Sequence, residues 1–294
     1  MNFSFMAFAA KASTGEKNFK KYIGVAACKV IAVNPSKSEL ETIYGTSQDN
    51  DPNYVGINKE TGASTVRLDF FLQTIPERCN GIDAISRVSF FLEKSKIIGS
   101  KSGKIQVIDG YGRNAWATPE EVASHTIPEY TNGPADIDKN FWPAYVGQIQ
   151  LLDFLRALMG VENARIKKGD NWVPNPNMSA CESVLEKIDD YFKGDVSELR
   201  EIVGLQPNNI VRTLWGIRDK DGKEYQTVYN EHFQKAGASN PDSFEKNVNN
   251  RKAAGAYATT TFEYCTLKEY SVSPTNINDL PEGTPNPADN FFND

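Results

Sequence analysis

The sequence predicts an α+β fold, mainly antiparallel β: an OB-like barrel or sheet with a helical insertion. Three observations predict it. Strand-like runs come first, helix-period stretches occupy the middle, and strands return after them. The two clearest strands, residues 65–74 (TVRLDFFLQT) and 85–93 (ISRVSFFLE), place polar residues against Val, Leu and Phe as a half-buried sheet requires. The chain shows neither βαβ alternation nor a phosphate-binding glycine loop; Gly110-Tyr111-Gly112 lacks the third glycine and reads as a bend.

Each element has a local reason. Residues 20–34 (KKYIGVAACKVIAVN) are rich in β-branched side chains and stop at Asn34-Pro35. Ser36 followed by Glu39 is a capping box, so a short helix is expected to run to about Tyr44. A polar loop around Asp49 to Asn53 leads into the two strong strands, each with an adjacent Phe pair, Phe70/Phe71 and Phe90/Phe91. Side chains alternate along a strand, so each pair puts one ring on each face; one serves the core and the other is left on the second face.

Lys101-Ser102-Gly103-Lys104 is a turn signal, and residues 104–116 begin as a strand that Gly110 and Gly112 bend around Tyr111. Thr118-Pro119 marks a helix start. Residues 144–161 carry Val146, Ile149, Leu152, Leu155 and Met159 at helical spacing, and residues 179–192 repeat the pattern with Val184, Leu185 and Ile188. Strands at 209–218 and 224–233 flank Asp221-Gly222, a tight-hairpin signal. A short helix near 244–250 and a last strand at 257–270 follow. The expected organisation is an N-terminal arm at 1–18, a β-rich body at 19–272 with its helical insertion at about 119–204, and a disordered acidic tail at 273–294.

Composition bounds the chemistry. A chain of 294 residues can bury a sizeable core. No apolar run approaches the roughly 20 residues that span a bilayer, and the Phe-rich start has no basic region before it, so a packed arm is expected rather than a signal peptide. A cytoplasmic location follows, with no membrane partner. Cys28, Cys79, Cys181 and Cys265 have no short spacing and are expected as free thiols. With only His125 and His232, no zinc spacing and no nucleophile elbow, HExxH or Walker motif, the reading is of no enzyme, no metal and no cofactor.

The net charge is −6, and the tail's four acids account for four of these charges. A body near neutrality can hold an anion site only as a local patch. Rings interleaved with cations mark where: Lys20, Lys21 and Tyr22; Arg67 and Phe71; Arg87 and Phe91; Lys101, Lys104, Tyr111, Arg113 and Trp116; Arg212, Trp215, Arg218 and Tyr225. Flat rings that stack on bases, beside cations that meet phosphates, are what sequence-tolerant binding of a single strand needs.

The chain closes on Pro285-Asn286-Pro287-Ala288-Asp289-Asn290-Phe291-Phe292-Asn293-Asp294. Two large rings among acids in a polar tail suit a peptide that docks in a partner's apolar pocket, with Asp289, Phe291, Phe292 and Asp294 as its contacts. Here the sequence resembles phage and bacterial single-stranded-DNA-binding proteins, which carry an acidic, Phe-containing C-terminal tail on an OB-fold body. The resemblance covers the last ten residues in type and the body in its sheet-rich pattern. It implies binding of single-stranded DNA without strong sequence preference in phage DNA replication or recombination, with the tail recruiting partner proteins. A phage structural or assembly protein without nucleic-acid chemistry is the alternative that the same aromatic, Asn-rich β composition allows.

Overall fold

The computed structural model describes residues 22–79, 81–109, 114–124, 141–160, 165–174, 183–205, 210–220 and 223–235, together with positions 246, 250 and 253. The expected N-terminal arm, the last strand at 257–270 and the tail at 273–294 lie outside the described residues. Of the expected helix near 244–250, only Lys246 and Asn250 are described, and both are helical.

The fold is α+β with mostly antiparallel sheets. Its long strands are β1 (Gly24–Val33), β3 (Ser64–Thr74), β4 (Ile85–Lys96), β11 (Ile210–Lys220) and β12 (Lys223–Lys235). Short strands β2 (Val55–Ile57) and β8 (Tyr145–Val146) complete a sheet of seven among the described residues, in the order β12-β11-β1-β3-β4-β8 with β2 on β3. Within it β11-β1-β3-β4 is a Greek key, the fourth long strand returning to lie beside the first. The sheet curls until β12 lies against β4: Ser86 Oγ donates to Gln226 O at 3.3 Å, and the rings of Phe90 and Phe233 are 5.9 Å apart. β4 and β12 form no backbone ladder with each other, so the sheet is not closed into a barrel.

A second sheet has the order β6 (Asn114–Ala117), β5 (Ile105–Asp109), β7 (Phe141–Pro143). A ribbon of β9 (Arg165–Lys168) and β10 (Asn171–Pro174) stands as a third. The helices are α1 (Lys37–Tyr44), α2 (Pro119–Ala123), α3 (Gln148–Met159), α4 (Ile188–Tyr191) and α5 (Ser197–Leu205). Both expected helix starts are built as capping boxes. Ser36 and Glu39 exchange their two bonds at the start of α1, and Thr118 and Glu121 do so at α2.

Two helix boundaries differ from the periodicity. The helix expected from Ala144 starts at Gln148, because Tyr145 and Val146 pair with β4 and Gly147 takes φ 82°. A Cβ on Gly147 would lie 2.0 Å from Phe91 O, so only glycine lets the chain pass that close. The helix expected over 179–192 is described as 183–186 and then α4, with a turn at Lys187. At the first of these, sheet pairing and close packing outweigh helical periodicity.

Helix α3 covers the concave side of the large sheet. Phe154 lies 4.8 Å from Phe70, 5.3 Å from Phe90 and 4.9 Å from Phe233, ring centre to ring centre. The core continues into Leu151, Leu155, Leu185, Tyr191 and Leu199, so the helical insertion shares one core with the strands. No helix among the described residues is long and apolar enough to cross a membrane.

Candidate nucleic-acid interface

The convex face of β3 and β4 is set by register. Arg67 stands opposite Phe91, Asp69 opposite Ser89, and Phe71 opposite Arg87, so these six side chains share one face. Their neighbours in sequence, Leu68, Phe70, Val88 and Phe90, fill the core on the other face.

Asp69 organises this face. Its side chain is 1% exposed, yet it takes Arg67 Nε at 3.1 Å and Arg87 Nη1 at 3.3 Å on Oδ2, and Ser89 Oγ donates to Oδ1 at 2.6 Å. The backbone under it is clamped by Asn34, which donates its N–H to Asp69 O at 2.9 Å and accepts from Asp69 N on Oδ1 at 2.6 Å. Asn34 holds φ 41°, a left-handed conformation that Asn tolerates better than most residues. One buried carboxylate faces two guanidiniums, so the cluster keeps one net positive charge. Arg67 also lies over the ring of Tyr54, 5.4 Å from its centre. The Tyr54 phenol is pushed up to about 12, first by burial and then by the nearby Asp69 charge. It therefore stays neutral and donates to Pro35 O at 2.7 Å.

Above this network Arg87 is 50% exposed and Phe91 66%. An open ring that shares a face with two paired cations can stack on a base while the cations meet a phosphate.

A second ring-and-cation cluster sits on the smaller sheet. Trp116, 43% exposed, stands opposite Gln106 on β5. Its ring packs against the turn after β4: a Cβ on Gly99 would lie 3.2 Å from Trp116 Cζ3. That turn is tied by Gly99 N to Lys104 O at 2.9 Å and by Gly103 N to Gly99 O at 2.8 Å. Lys101 and Lys104 are both exposed on it. The structure thus brings together Lys101, Lys104 and Trp116, as the interleaving predicts.

Other expected positions fall elsewhere. Trp215 and Tyr22 are 0% and 1% exposed, pack edge to face at 6.2 Å, and belong to the core. Their polar atoms are used internally: Trp215 Nε1 donates to Thr213 Oγ1 at 2.5 Å, and Tyr22 Oη donates to Val25 O at 2.9 Å. Arg212 is 2% exposed and donates to Gln234 Oε1 at 3.2 Å. Trp215 and Arg212 are corrected from exposed binding residues to buried ones because β11 lies in mid-sheet and buries both its faces there, and Tyr22, just before β1, is buried against Trp215. Phe71 is also buried, with the ring of Tyr44 from α1 lying 6.0 Å away. Tyr225 is 51% exposed and stands opposite Arg218 near the end of the β11–β12 hairpin. Lys20, Lys21, Tyr111, Arg113, Asp289, Phe291, Phe292 and Asp294 lie outside the described residues.

Sequence reasoning missed Asp69, Ser89 and Tyr54. The Arg67-Leu68-Asp69 triplet does carry a signal, since residues two apart on a strand share a face and opposite charges there can pair. Cys28 and Cys79 are free and buried, and burial pushes the Cys28 thiol up to about 12, which leaves it unreactive. Among the described residues, no three His, Cys, Asp or Glu side chains gather as a metal site would need.

No family model, no curated protein and no solved structure matches this chain.

Proposed function

We propose that this chain binds single-stranded DNA without strong sequence preference, in DNA replication or recombination of the phage type, on an OB-like body. The observation that carries the reading is the convex face of β3 and β4, where the open ring of Phe91 stands opposite Arg67, one of two guanidiniums held on one buried carboxylate. Trp116 against the turn that bears Lys101 and Lys104 supports it as a second ring-and-cation cluster.

Strand order supports the OB-like body. With β1, β3, β4, β11 and β12 as strands one to five, the sheet runs five-four-one-two-three, and strand five lies beside strand three. An OB body is a five-stranded, partly open Greek-key barrel that binds oligonucleotides on strands two and three and on the loops after strands one and four. Arg67, Arg87 and Phe91 occupy the strands that correspond to two and three. Tyr44 and Tyr54 come from the segment after strand one, and Arg218 and Tyr225 flank the hairpin after strand four.

The test is a titration with labelled oligo(dT) beside a duplex of equal length, from low to physiological salt. Selective binding of the single strand that weakens as salt rises is expected, because phosphate contacts release counterions. Equal binding of the two, or no binding at low salt, overturns the proposal. The tail's part is separate: Phe291→Ala with Phe292→Ala keeps every acid, so it is expected to abolish capture of replication or recombination proteins in a pull-down and to leave oligo(dT) affinity unchanged.

A further inference from the structure

From the geometry of Asp69 we infer that this carboxylate is a positioning residue for phosphate: it fixes the Arg67 and Arg87 guanidiniums as a matched pair, and the pair grips one backbone phosphate of the single strand. The inference rests on the proposed reading of the β3–β4 face and adds a role that the electrostatics alone would not assign.

A buried acid beneath an anion site is unexpected on charge grounds. It repels the phosphate and cancels one of the two cations. Its value lies in geometry. An unheld arginine on a strand surface samples many rotamers and loses that freedom on binding, at a cost in affinity. Here Arg87 donates one N–H to Asp69 Oδ2 at 3.3 Å, and Arg67 faces the same oxygen as an ion pair, Nε at 3.1 Å without a hydrogen bond, which leaves the terminal N–H groups of each fork for a ligand. Asp69 itself cannot swing. Ser89 holds Oδ1 at 2.6 Å, and Asn34 clamps the main chain on both sides. Tyr54 supports the Arg67 plane from beneath at 5.4 Å. The two arginines differ in exposure, 29% and 50%, so Arg87 is the outer jaw and Arg67 the inner one. Phe91 stands directly across from Arg67, where a base next to the held phosphate would stack.

The two possible roles of Asp69 predict opposite signs. Asp69→Asn removes one negative charge while keeping the shape of the side chain and an acceptor for Ser89. If the acid only opposes DNA, the variant binds oligo(dT) more tightly, with a steeper dependence of affinity on salt. If it positions the arginines, affinity falls about tenfold, as expected when charge-assisted hydrogen bonds lose their alignment. The slope of log affinity against log salt also becomes shallower, by about 0.7 for each phosphate the protein no longer neutralises. A merely structural role would lower thermal stability but would not move that slope. Should Asp69→Asn not fold, as judged by circular dichroism, Ser89→Ala carries the test, since it releases Asp69 Oδ1 and leaves both ion pairs on Oδ2 in place. It is expected to weaken binding about threefold in the same direction. Arg87→Lys, which keeps the charge and loses the fork, is expected to behave like Asp69→Asn. Tighter or unchanged binding by Asp69→Asn, or unchanged binding by Ser89→Ala where Asp69→Asn does not fold, overturns the positioning role. Failure of the unaltered protein to bind oligo(dT) overturns instead the underlying reading of the face.

Discussion

The two Phe pairs of β3 and β4 obey the same alternation and end in different places. Phe70 and Phe90 are 0% and 1% exposed and pack on Phe154. Their partners on the convex face diverge: Phe71 is 1% exposed and Phe91 66%. The strand decides which face a ring takes, but whatever lies over that face decides whether the ring is core or surface. Helix α1 brings Tyr44 over Phe71, whereas Gly147 approaches the backbone of Phe91 and Leu92 and the Phe91 ring stays open.

Truncating a ring on each side puts this contrast under the greatest load. Phe90→Ala is expected to destabilise the fold by about 3–5 kcal/mol in chemical denaturation, from lost burial and the cavity it leaves. Trp215→Ala should fall in the same range. Phe91→Ala should change stability by only about 0.5 kcal/mol. Equal losses at positions 90 and 91 would mean that Phe91 is covered.

Binding should reverse the order. Phe91→Ala and Trp116→Ala are each expected to weaken oligo(dT) binding by about 1–3 kcal/mol, measured by fluorescence anisotropy on folded protein. Trp215→Ala should leave affinity per folded molecule unchanged.

Tyr44→Ala probes the covered side by uncovering Phe71. Removal of the edge-to-face pairing should lower stability by about 0.5–1.5 kcal/mol. A thermal midpoint equal to that of the unaltered protein would show that α1 does not hold that ring.

The smallest expected effect is one of pH, at the far end of the same face. Glu93 accepts hydrogen bonds from Ser95 at 2.6 Å, Asn58 at 2.7 Å and Thr61 at 3.0 Å, and these hold its carboxyl below the ordinary carboxylate range. A carboxyl whose folded value is lowered contributes stability that is present above its ordinary range and is lost as pH falls through the lowered one. The turn at 58–63 should therefore show lower amide protection, relative to the intrinsic exchange rate at each pH, as the medium becomes acid, while Glu93→Gln removes that dependence. A Glu93 side chain that titrates by NMR like a free glutamate would discard this clip.

Much of the fold is legible from local chemistry. The capping boxes at Ser36 and Thr118 and the alternation through 65–74 and 85–93 each lead to the element they predict, because neighbouring residues largely decide these elements. Asp221-Gly222 lies outside the described residues, and the strands expected on either side of it pair antiparallel. The short strands β2 and β8 and the β9–β10 ribbon are not legible. Strands of two to four residues have too little periodicity to read, and they exist through the ladders they join. Of the candidate site, Lys101, Lys104 and Trp116 are gathered as expected because one turn and one hairpin lie close in sequence. Trp215 and Arg212 look the same in sequence, a ring and a cation on an alternating strand, and are core.

Local sequence is enough to set the α+β class, the order of the long strands along the chain and the face each Phe takes. Those properties follow from backbone periodicity and from caps within a few residues. Long-range packing alone settles that β11 pairs with β1, that β12 curls against β4, that α1 roofs Phe71, and that Asp69 draws Arg87 in beside Arg67. Each of those depends on residues far apart in the chain. The free energy that selects them, apolar area buried across the sheet and buried charges that must find partners, has no counterpart in any local window of sequence.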